Sequence, residues 1–411
     1  MAEVAILGAG MIGVSSALEL QARGHDVTLV DRRAPGRETS FGNAGIIQAE
    51  AAEPYALPRD LRTLLRYALR RDNDVTYHWG ALARMAPALW QYFRHSAPAS
   101  HARISGIYAQ MTLGATADHA PWIKASGAEE LIRRDGMMLV FRNPRDLDAA
   151  VADAARLRAR WGVTSHHFDS TGLRAIEPAL TDRPAGGLLM DQSWACSDPG
   201  GLVERYARLF TKRGGHVVRG DAETLQHRSG GWDIATDDGS LQAEHVVIAL
   251  GPWSADLAAR FGLKIQMVYK RGYHGHFTAP HLPNRPLVDA DNGIVASPMA
   301  QGLRLATGAA LVARNAPLDP RQLTTGARRI ADILPIGPRI AEPQWLGTRP
   351  CMPDMLPVVG AAPDHTSLWV NFGHGHQGFT LGPTSARLLA DAMDGAGGPV
   401  LDALSPARLR R

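Results

Sequence analysis

Length, composition and charge restrict the class of protein this chain can be. It has 411 residues, 45% hydrophobic and 20% charged, which is typical of a globular chain with roughly two or three domains. Its formal net charge of +4 is too small to indicate nucleic-acid binding. No CxxC pair, secretion signal or run of about 18 apolar residues is present, so we expect a cytoplasmic protein without a transmembrane segment.

The first 31 residues predict a strand, a helix and a second strand. An apolar run over 4–7 is followed by the glycines of a GxGxxG motif, and a periodic helix then extends to about Ala22. The second strand ends on Asp31, whose carboxylate would accept hydrogen bonds from a ribose. A flavodoxin-like turn is the alternative, but the strand, helix and acid together favour a dinucleotide site.

Each glycine of this motif has a predicted physical role. Gly8 permits the tight turn, and Gly10 lets a pyrophosphate approach the N-terminus of the helix. Gly13 allows the helix to pack closely on the strand. The next glycine-rich segment, ETSFGNAGII over 38–47, would bring small polar groups beside a ring system or phosphate; an ordinary polar loop is the alternative.

The middle of the chain departs from a continuous nucleotide-binding fold. Residues 57–95 are predicted to be helical and basic, forming either a surface layer or a contact with a membrane or an electron acceptor. An amphipathic helix is predicted over 145–160. Near Asp198 the pattern returns to helix, hairpin and a buried strand over 246–250. A second excursion, rich in strands, extends to about residue 338.

The run NFGHGHQGFTLG, 371–382, admits two interpretations. Its histidines, His374 and His376, are either metal ligands or part of a turn whose backbone amides are the functional groups. Zinc needs three or four ligands, and no third ligand or CxxC lies nearby in sequence. We therefore predict no metal and a backbone role, with a helix following over 384–393.

The order of these motifs resembles the D-amino-acid oxidase superfamily of FAD enzymes. The resemblance rests on the first glycine motif with Asp31 and on the segments TSFGNAGII, VVIALGPWS, KRGYH, GTRPCMPDMLPVVG and GHGHQGFTLG, which span nearly the whole chain. It is closest to bacterial D-amino-acid dehydrogenases and to relatives that act on D-proline or D-hydroxyproline. It implies an α/β fold in which insertions interrupt a Rossmann-like FAD-binding domain and form a second α+β substrate domain with a mixed or antiparallel sheet.

The resemblance also implies domain boundaries and site residues. The FAD-binding domain would comprise 1–50, 196–262 and 339–411, and the substrate domain 51–195 and 263–338. The predicted cofactor-binding residues are Gly8, Gly10, Met11, Ile12, Gly13, Asp31, Arg32, Thr39, Ser40, Asn43, Ala44, Gly45, Ala222, Ala249, Gly251, Trp253, Gly375, His376, Gln377, Gly378, Phe379 and Thr380. The predicted catalytic residues are Arg349, Tyr273, His274 and His376.

The implied chemistry is hydride transfer from the Cα of an amino acid to flavin N5. Arg349 occupies the place of the family's carboxylate-binding arginine, and its planar guanidinium suits a carboxylate. Tyr273 either binds the carboxylate or lines the pocket, while the amides of 375–378 and the following helix would face the flavin. Cys351 is displaced from the position of the flavin-tethering cysteine in monomeric sarcosine oxidases, so we expect non-covalent FAD.

Several alternatives stay open at this level. They are an oxidase of glycine, sarcosine or another secondary amine, an NAD-dependent dehydrogenase, and a non-catalytic flavoprotein subunit. The split nucleotide fold disfavours the NAD enzyme, and Arg349 disfavours the non-catalytic subunit. The sequence does not indicate whether the electron acceptor is a quinone, another carrier or O2. It does not indicate the oligomeric state either. The basic segment 57–95 leaves open a peripheral position on the inner membrane face.

Overall fold

A six-stranded sheet carries the glycine motif at its centre. The computed structural model describes residues 1–68, 73 and 75–410. The strands in this described part are β1 (Glu3–Leu7), β2 (Asp26–Asp31), β3 (Ile46–Ile47), β4 (Val75–Tyr77), β5 (Ile132–Arg133), β6 (Met137–Phe141), β7 (His166–Asp169), β8 (Gly186–Met190), β9 (Trp194–Cys196), β10 (His216–Arg219), β11 (Gln226–Arg228), β12 (Gly231–Thr236), β13 (Gly239–Ala243), β14 (His245–Ile248), β15 (Val268–Phe277), β16 (Leu287–Asp289), β17 (Ile294–Met299), β18 (Gly302–Ala306), β19 (Ala309–Leu311), β20 (Trp345–Cys351), β21 (Val358–Ala362) and β22 (His365–Phe372).

The helices agree with much of the sequence-based prediction. They are α1 (Met11–Ala22), α2 (Leu61–Ala68), α3 (Trp79–His95), α4 (Pro98–Thr112), α5 (Ala115–Ala125), α6 (Pro144–Trp161), α7 (Ser170–Ile176), α8 (Pro199–Lys212), α9 (Ser254–Ala259), α10 (Arg321–Ile330), α11 (Gly382–Met393) and α12 (Pro399–Leu404). The segment 57–95 is not one helical layer, because β4 separates α2 from α3 and pairs with β19. The part of that prediction over 69–72 and at 74 lies outside the described residues.

The nucleotide-type sheet has the order β10-β2-β1-β14-β22-β21. Its first five strands are parallel, and β21 pairs antiparallel with β22. One face packs against α1, α8 and α11 through buried side chains such as Val14, Leu202 and Leu389. Parallel strands buried on both faces need such continuous apolar runs, which is why 4–7 and 246–248 were recognisable in sequence.

A second, larger sheet contains both parallel and antiparallel strand pairs. Its order is β4-β19-β15-β18-β17-β16-β6-β8-β7, and β20 also pairs with β15. Strand β20 falls within 339–411, the range predicted for the FAD-binding domain, yet its hydrogen bonds lie in this larger sheet. Segment 98–125 likewise contributes Ile104, Tyr108 and Ile123 to the core around α1. The two-domain division with its boundaries stays a prediction, whereas the α/β fold class is confirmed.

Candidate active site

A cavity of about 900 Å³ extends from the glycine turn to the larger sheet. Among the predicted site residues, its walls include Gly8, Gly10, Met11, Ile12, Asp31, Arg32, Thr39, Ser40, Asn43, Ala44, Ala222, Ala249, Gly251, Trp253, Tyr273, Arg349, Gly375, His376, Gly378 and Phe379. Five predicted residues lie behind that wall: Gly13, Gly45, His274, Gln377 and Thr380. The structure therefore brings most of the predicted set together.

The glycine turn is held by close backbone packing. Gly8 has φ 111°, and a Cβ there would lie 2.5 Å from the carbonyl oxygen of Ala249. A Cβ on Gly13 would lie 1.7 Å from the Gly8 carbonyl oxygen, so α1 packs directly on the turn. Gly13 thus acts through packing and does not line the cavity, as its predicted role requires.

Asp31 supports the turn from the neighbouring strand. Its Oδ2 accepts a hydrogen bond from Ala9 N at 2.7 Å, and its Oδ1 accepts one from Arg33 N at 2.9 Å. Each carboxylate oxygen has further lone pairs and Asp31 lines the cavity, so a ribose hydroxyl has acceptors available there. The sequence-based prediction for Asp31 did not include these two hydrogen bonds to the backbone.

The loop 39–45 is fastened to both sheets. Ser40 Oγ accepts from Met11 N at 3.0 Å, which links the loop to the start of α1. Arg304 Nη1 donates to the carbonyl oxygens of Phe41 at 3.1 Å and Asn43 at 2.7 Å. Arg304 is 3% exposed, and burial lowers its pKa to about 10, so it stays charged at neutral pH. A buried cation therefore fixes the loop that was predicted to lie beside the cofactor.

These features fit FAD. At the start of α1, the amides of Gly10 and Ile12 have no acceptor among the described residues and both residues line the cavity, as a pyrophosphate requires. Asp31 and Ala222 line the end suited to adenosine. The elongated cavity continues past Ala44 towards Phe379, where a ring system would lie against backbone.

The turn before α11 provides fewer free amides than predicted. Gly375 N donates to Pro350 O at 2.9 Å, and Gln377 N donates to His374 O at 3.0 Å. Two of the four amides predicted to face the flavin are therefore used within the protein. Those of His376 and Gly378 have no acceptor in the part of the chain that the structure describes, and both residues line the cavity.

Phe379 and Thr380 extend this turn. Their amides also lack acceptors among the described residues, and Phe379 lines the cavity while Thr380 does not. Thr380 Oγ1 accepts from Gln48 N at 3.1 Å, so its side chain joins the turn to the strand after the loop. Available donors are thus concentrated at 376 and at 378–379, just before the helix N-terminus.

The paired strands β15 and β20 form the far wall. Their register places Lys270 opposite Arg349 and Gly272 opposite Gly347. Alternate residues of a strand share a face, so Lys270, Gly272 and Arg349 lie on the face that lines the cavity. A Cβ on Gly272 would lie 2.9 Å from Arg349 Nη2, so the guanidinium lies directly over this glycine.

Arg349 is a partly buried cation with no carboxylate partner in the described structure. Nη1 donates to Gly308 O at 2.7 Å and Nη2 donates to Thr307 O at 3.1 Å. Partial burial lowers the pKa of Arg349, because water solvates the charged form less well there. Backbone carbonyls orient the guanidinium without neutralising it, which leaves an anion-binding position facing the cavity.

Tyr273 lines the cavity, but its hydroxyl is not placed to bind a carboxylate there. It lies one residue from Gly272, so its side chain projects to the opposite face of β15. Its hydroxyl accepts from Arg271 Nη1 at 3.4 Å and from Asp319 N at 3.2 Å. The hydroxyl is therefore occupied away from Arg349, and a contact between it and a carboxylate in the cavity is disfavoured.

His274 lies behind the cavity wall. Its ring stacks on Trp345 with centroids 4.6 Å apart and planes 10° apart, and its Nδ1 is 3.3 Å from Gly42 O. Trp345, not His274, lines the cavity. Burial lowers the pKa of His274 to about 3, so it is a neutral packing residue at physiological pH, and a direct catalytic contact is disfavoured.

His374 and His376 belong to no group of metal-ligating side chains among the described residues. Burial lowers the pKa of His374 to about 3, and its Nε2 has no partner in the described structure. Elsewhere, His274, His276 and Glu342 lie within ligand distance of one another. Glu342 already bonds His276 Nδ1 at 2.9 Å, and Arg304 Nε donates to His276 Nε2 at 3.1 Å. A cation would have to displace a guanidinium there, so this cluster does not suit a metal ion.

The sequence-based prediction missed several residues of the site. Lys270, Tyr55 and Gln48 line the cavity, and Glu50 is hydrogen-bonded to Gln48. Lys270 is one of only four lysines in the chain and is the first residue of the KRGYH motif, which was a usable signal. Gln48 and Glu50 directly follow the loop segment, but nothing in their spacing indicated a common role.

Comparison with known proteins identifies the family. The family model described as FAD dependent oxidoreductase (DAO) matches residues 3–392. The D-amino acid dehydrogenase of Cereibacter sphaeroides is 32% identical over 412 residues, covering 95% of this chain and 92% of that protein. The D-amino-acid oxidase of Bradyrhizobium diazoefficiens is 29% identical over 402 residues, with 95% of each covered. The chain belongs to the DAO family of FAD-dependent oxidoreductases, as the sequence motifs predicted.

A solved structure agrees with this fold. Glycine oxidase from Geobacillus kaustophilus superposes with a TM-score of 0.76 and 20% identity, covering 99% of this chain and 98% of that one. The predictions of an FAD-dependent oxidoreductase and of its mixed α/β fold are confirmed. Among the described residues, no helix has the length and apolarity needed to cross a membrane.

Proposed function

We propose that this enzyme oxidises a D-amino acid at Cα, with Arg349 binding the substrate carboxylate. The observation that carries the proposal is the partly buried guanidinium of Arg349, which faces the cavity without a carboxylate partner among the described residues. A substrate carboxylate would supply the missing anion through two parallel hydrogen bonds. The names of the relatives from Cereibacter sphaeroides and Bradyrhizobium diazoefficiens support the D configuration.

The remainder of the wall suits a substrate that carries a side chain or ring. The large sheet contributes an apolar lining of Val75, Met137, Leu139, Val288 and Val295. Such a surface favours an apolar side chain, or a pyrrolidine as in D-proline or D-hydroxyproline, over glycine. Glycine, sarcosine or another secondary amine as substrate is the alternative within the same reaction class.

FAD, when bound, supplies the acceptor for a hydride from Cα. The residues of the chain then have to orient the substrate, exclude water and accommodate an unprotonated amine. Arg349 fixes one end of the substrate, and the positive charges of Arg349 and Lys270 disfavour a protonated amine nearby. The imine product would hydrolyse to a 2-oxo acid, or persist as a cyclic imine from a proline-type substrate.

We further propose that FAD is held without a covalent bond. Cys351 does not line the cavity, and burial raises the pKa of its thiol, which disfavours the thiolate needed for attachment. Acid precipitation should therefore release the flavin into the supernatant.

For the electron acceptor, we prefer a dehydrogenase that passes electrons to a quinone or another carrier. Rapid peroxide formation in air would favour an oxidase instead.

Anaerobic bleaching of the flavin absorption tests the substrate proposal. The panel comprises D- and L-proline, hydroxyproline isomers, D-alanine, glycine and sarcosine, added to wild type and to Arg349→Lys. We expect bleaching by at least one D-amino acid, and a loss of roughly 2–5 kcal/mol in transition-state stabilisation in Arg349→Lys, which keeps the charge but loses the planar fork. Arg387→Lys, in an exposed ion pair with Asp118, is the matched control.

The outcomes separate the alternatives. Bleaching by glycine or sarcosine alone would favour the alternative, in which the substrate is glycine or an N-methylated relative of it. A flavin that no member of the panel bleaches would overturn the substrate proposal and favour a non-catalytic flavoprotein subunit. Unchanged kinetics in Arg349→Lys would remove Arg349 from the site.

A further inference from the structure

A series of hydrogen bonds leads from a buried carboxyl group to His376 at the cavity wall. Glu50 is 6% exposed, and its Oε1 accepts from Gln48 Nε2 at 2.9 Å. Gln377 Nε2 donates to Gln48 Oε1 at 3.0 Å and lies 3.2 Å from His376 Nε2. Ser193 Oγ donates to the second oxygen of Glu50. We call Glu50, Gln48 and Gln377 the relay.

The donor direction along the relay follows from its carboxylate end. In the structure Glu50 accepts from Gln48 and from Ser193, and Gln48 turns its NH2 group towards Glu50 and its oxygen towards Gln377. Gln377 must then direct its own NH2 group at that oxygen, and the second N–H of this group points at His376. With the amide groups in these orientations, the Nε2 atom of His376 accepts a hydrogen bond and carries no proton.

The environment of His376 keeps its ring neutral. Burial, and then the charges of Arg349 and Lys270, lower the pKa of His376 to about 3. The ring packs against Tyr55 with centroids 4.8 Å apart, and Nδ1 has no partner in the described structure. A neutral imidazole without a proton on Nε2 carries it on Nδ1, so an N–H donor is left for the cavity.

We propose that Glu50, through Gln48 and Gln377, positions His376 as a neutral imidazole whose Nδ1–H donates to the carboxylate held by Arg349. This inference rests on the proposed function. His376 is the residue that contacts the substrate, and the relay residues act only through it. A neutral donor adds a hydrogen bond to the carboxylate without placing a third positive charge beside Lys270 and Arg349. It also means that His376 is not a general base.

The groups that face His376 come from several segments. Arg349 and Lys270 approach from the paired strands, Tyr55 from the loop before α2, and Glu50 acts through the relay. In the wild-type protein Tyr55 is the nearest aromatic contact, and both cations oppose protonation of the ring. The tautomer should therefore stay constant over the range in which a free histidine titrates.

Nitrogen NMR tests the tautomer without substrate. Ring ¹⁵N resonances are recorded on the oxidised holoenzyme labelled at histidine, and His376 is assigned by its loss in His376→Gln. We expect an unprotonated Nε2 and a protonated Nδ1, unchanged over about pH 6 to 9. A protonated Nε2 would overturn the inference. Because no substrate is present, this result is independent of whether a D-amino acid is the substrate.

Gln377→Glu provides a second test. A carboxylate beside Nε2 can only accept, so Nε2 must become protonated and the pKa of the imidazole should rise into the measurable range. As pH increases, the ring would lose its Nδ1 proton and turn a lone pair towards the substrate carboxylate. We expect KM for the substrate that bleaches the flavin to rise about tenfold across this transition, with kcat changing less.

The control for added charge is Gln91→Glu, an exposed residue of α3 that hydrogen-bonds Gln266. Its KM should keep the wild-type pH dependence. Glu50→Leu removes the acceptor that directs the relay, and the ring resonances should then report both tautomers. A KM in Gln377→Glu that is independent of pH, together with a wild-type nitrogen pattern, would overturn the proposal.

Discussion

The guanidinium of Arg349 lies against Gly272 on the paired strand, where a Cβ would be 2.9 Å from Nη2. The glycine leaves the space that the partly buried guanidinium occupies, and two backbone carbonyl groups accept its hydrogen bonds. The position of the proposed carboxylate site therefore depends on a residue that contributes no side chain to it.

Gly272→Ala should displace Arg349 while leaving the fold intact. The new methyl group would overlap the guanidinium, which must shift or lose a hydrogen bond to Gly308 or Thr307. We expect kcat/KM to fall roughly tenfold or more, at about 1.4 kcal/mol per factor of ten, with flavin content unchanged. Steady-state kinetics and the absorption spectrum give both quantities.

The matched control is Gly275→Ala on the same strand. A Cβ there would lie 2.9 Å from Arg339 Nε, so the substitution crowds an arginine in the same way but at the opposite face. Equal losses in both variants would point to general disruption of the strand and would contradict a specific effect on Arg349.

Asp31→Ala should weaken FAD binding by two routes. It removes the acceptors of Ala9 N and Arg33 N, which support the glycine turn, and the predicted acceptor for a ribose hydroxyl. Hydrogen bonds to charged groups contribute roughly 1.5–3 kcal/mol, so we expect FAD affinity to fall at least about tenfold. Quenching of flavin fluorescence on titration into apoprotein measures this.

Asp26→Ala, an exposed residue at the start of the same strand, serves as the comparison for Asp31. Its FAD affinity should match wild type. If Asp31→Ala also binds FAD with wild-type affinity, the assignment of the nucleotide end of the cavity is wrong.

Stability should fall on acidification because His119 is buried and neutral. Its Nδ1 lies 2.9 Å from Tyr206 Oη, and its Nε2 lies 3.1 Å from the carbonyl oxygens of both Phe379 and Thr380. Burial lowers the pKa of His119 from 6.5 to about 4. Between these values the unfolded chain binds a proton that the folded protein does not, so the free energy of unfolding decreases as pH falls.

The loss attributable to His119 approaches roughly 3 kcal/mol once pH falls below about 4. Urea titrations of the holoenzyme at a series of pH values measure it. In His119→Gln, which does not titrate, the slope between about pH 6.5 and 4 should be shallower. His167→Gln, at an exposed position, should keep the wild-type slope. An unchanged slope in His119→Gln would contradict this origin.

Chelation should leave the protein unaltered. His276 has both ring nitrogens occupied, by Glu342 and by Arg304, so the one candidate ligand cluster among the described residues is already neutralised. Elemental analysis of the holoenzyme should detect no stoichiometric transition metal, and treatment with EDTA should leave Tm and flavin reduction unchanged. A stoichiometric metal lost on Glu342→Gln would reverse this conclusion.

Local sequence patterns were sufficient for the nucleotide-binding part of the fold. The helix after the first glycines and the strand that ends on Asp31 were predicted within a residue or two, because a buried parallel strand, a tight turn and a periodic helix each leave a short-range pattern. The segment 57–95 was interpreted as helical throughout because β4 has only three residues and its pairing partner, β19, is far away in sequence.

The catalytic wall was harder to predict because it depends on strand pairing over a long separation. Tyr273 and His274 lie in a motif that pointed to the site. On that strand, however, the side chain of Lys270 faces the cavity, and Gly272 leaves room there for Arg349. Alternation shows which residues share a face, but only the register with β20 decides which face meets the cavity.

The sequence by itself determined the dinucleotide turn, which is one contiguous motif, and the family, which follows from the order of several motifs along the chain. The role of Arg349 as the cation of the site is a prediction that the family resemblance implies. Tertiary structure alone decided that Arg349 has no carboxylate partner in the described part of the chain, that the Tyr273 hydroxyl turns away, and that Glu50 is linked to His376. Each of these features depends on side chains that meet across separate segments of the chain. Long-range pairing and packing set such contacts, and local patterns do not encode them.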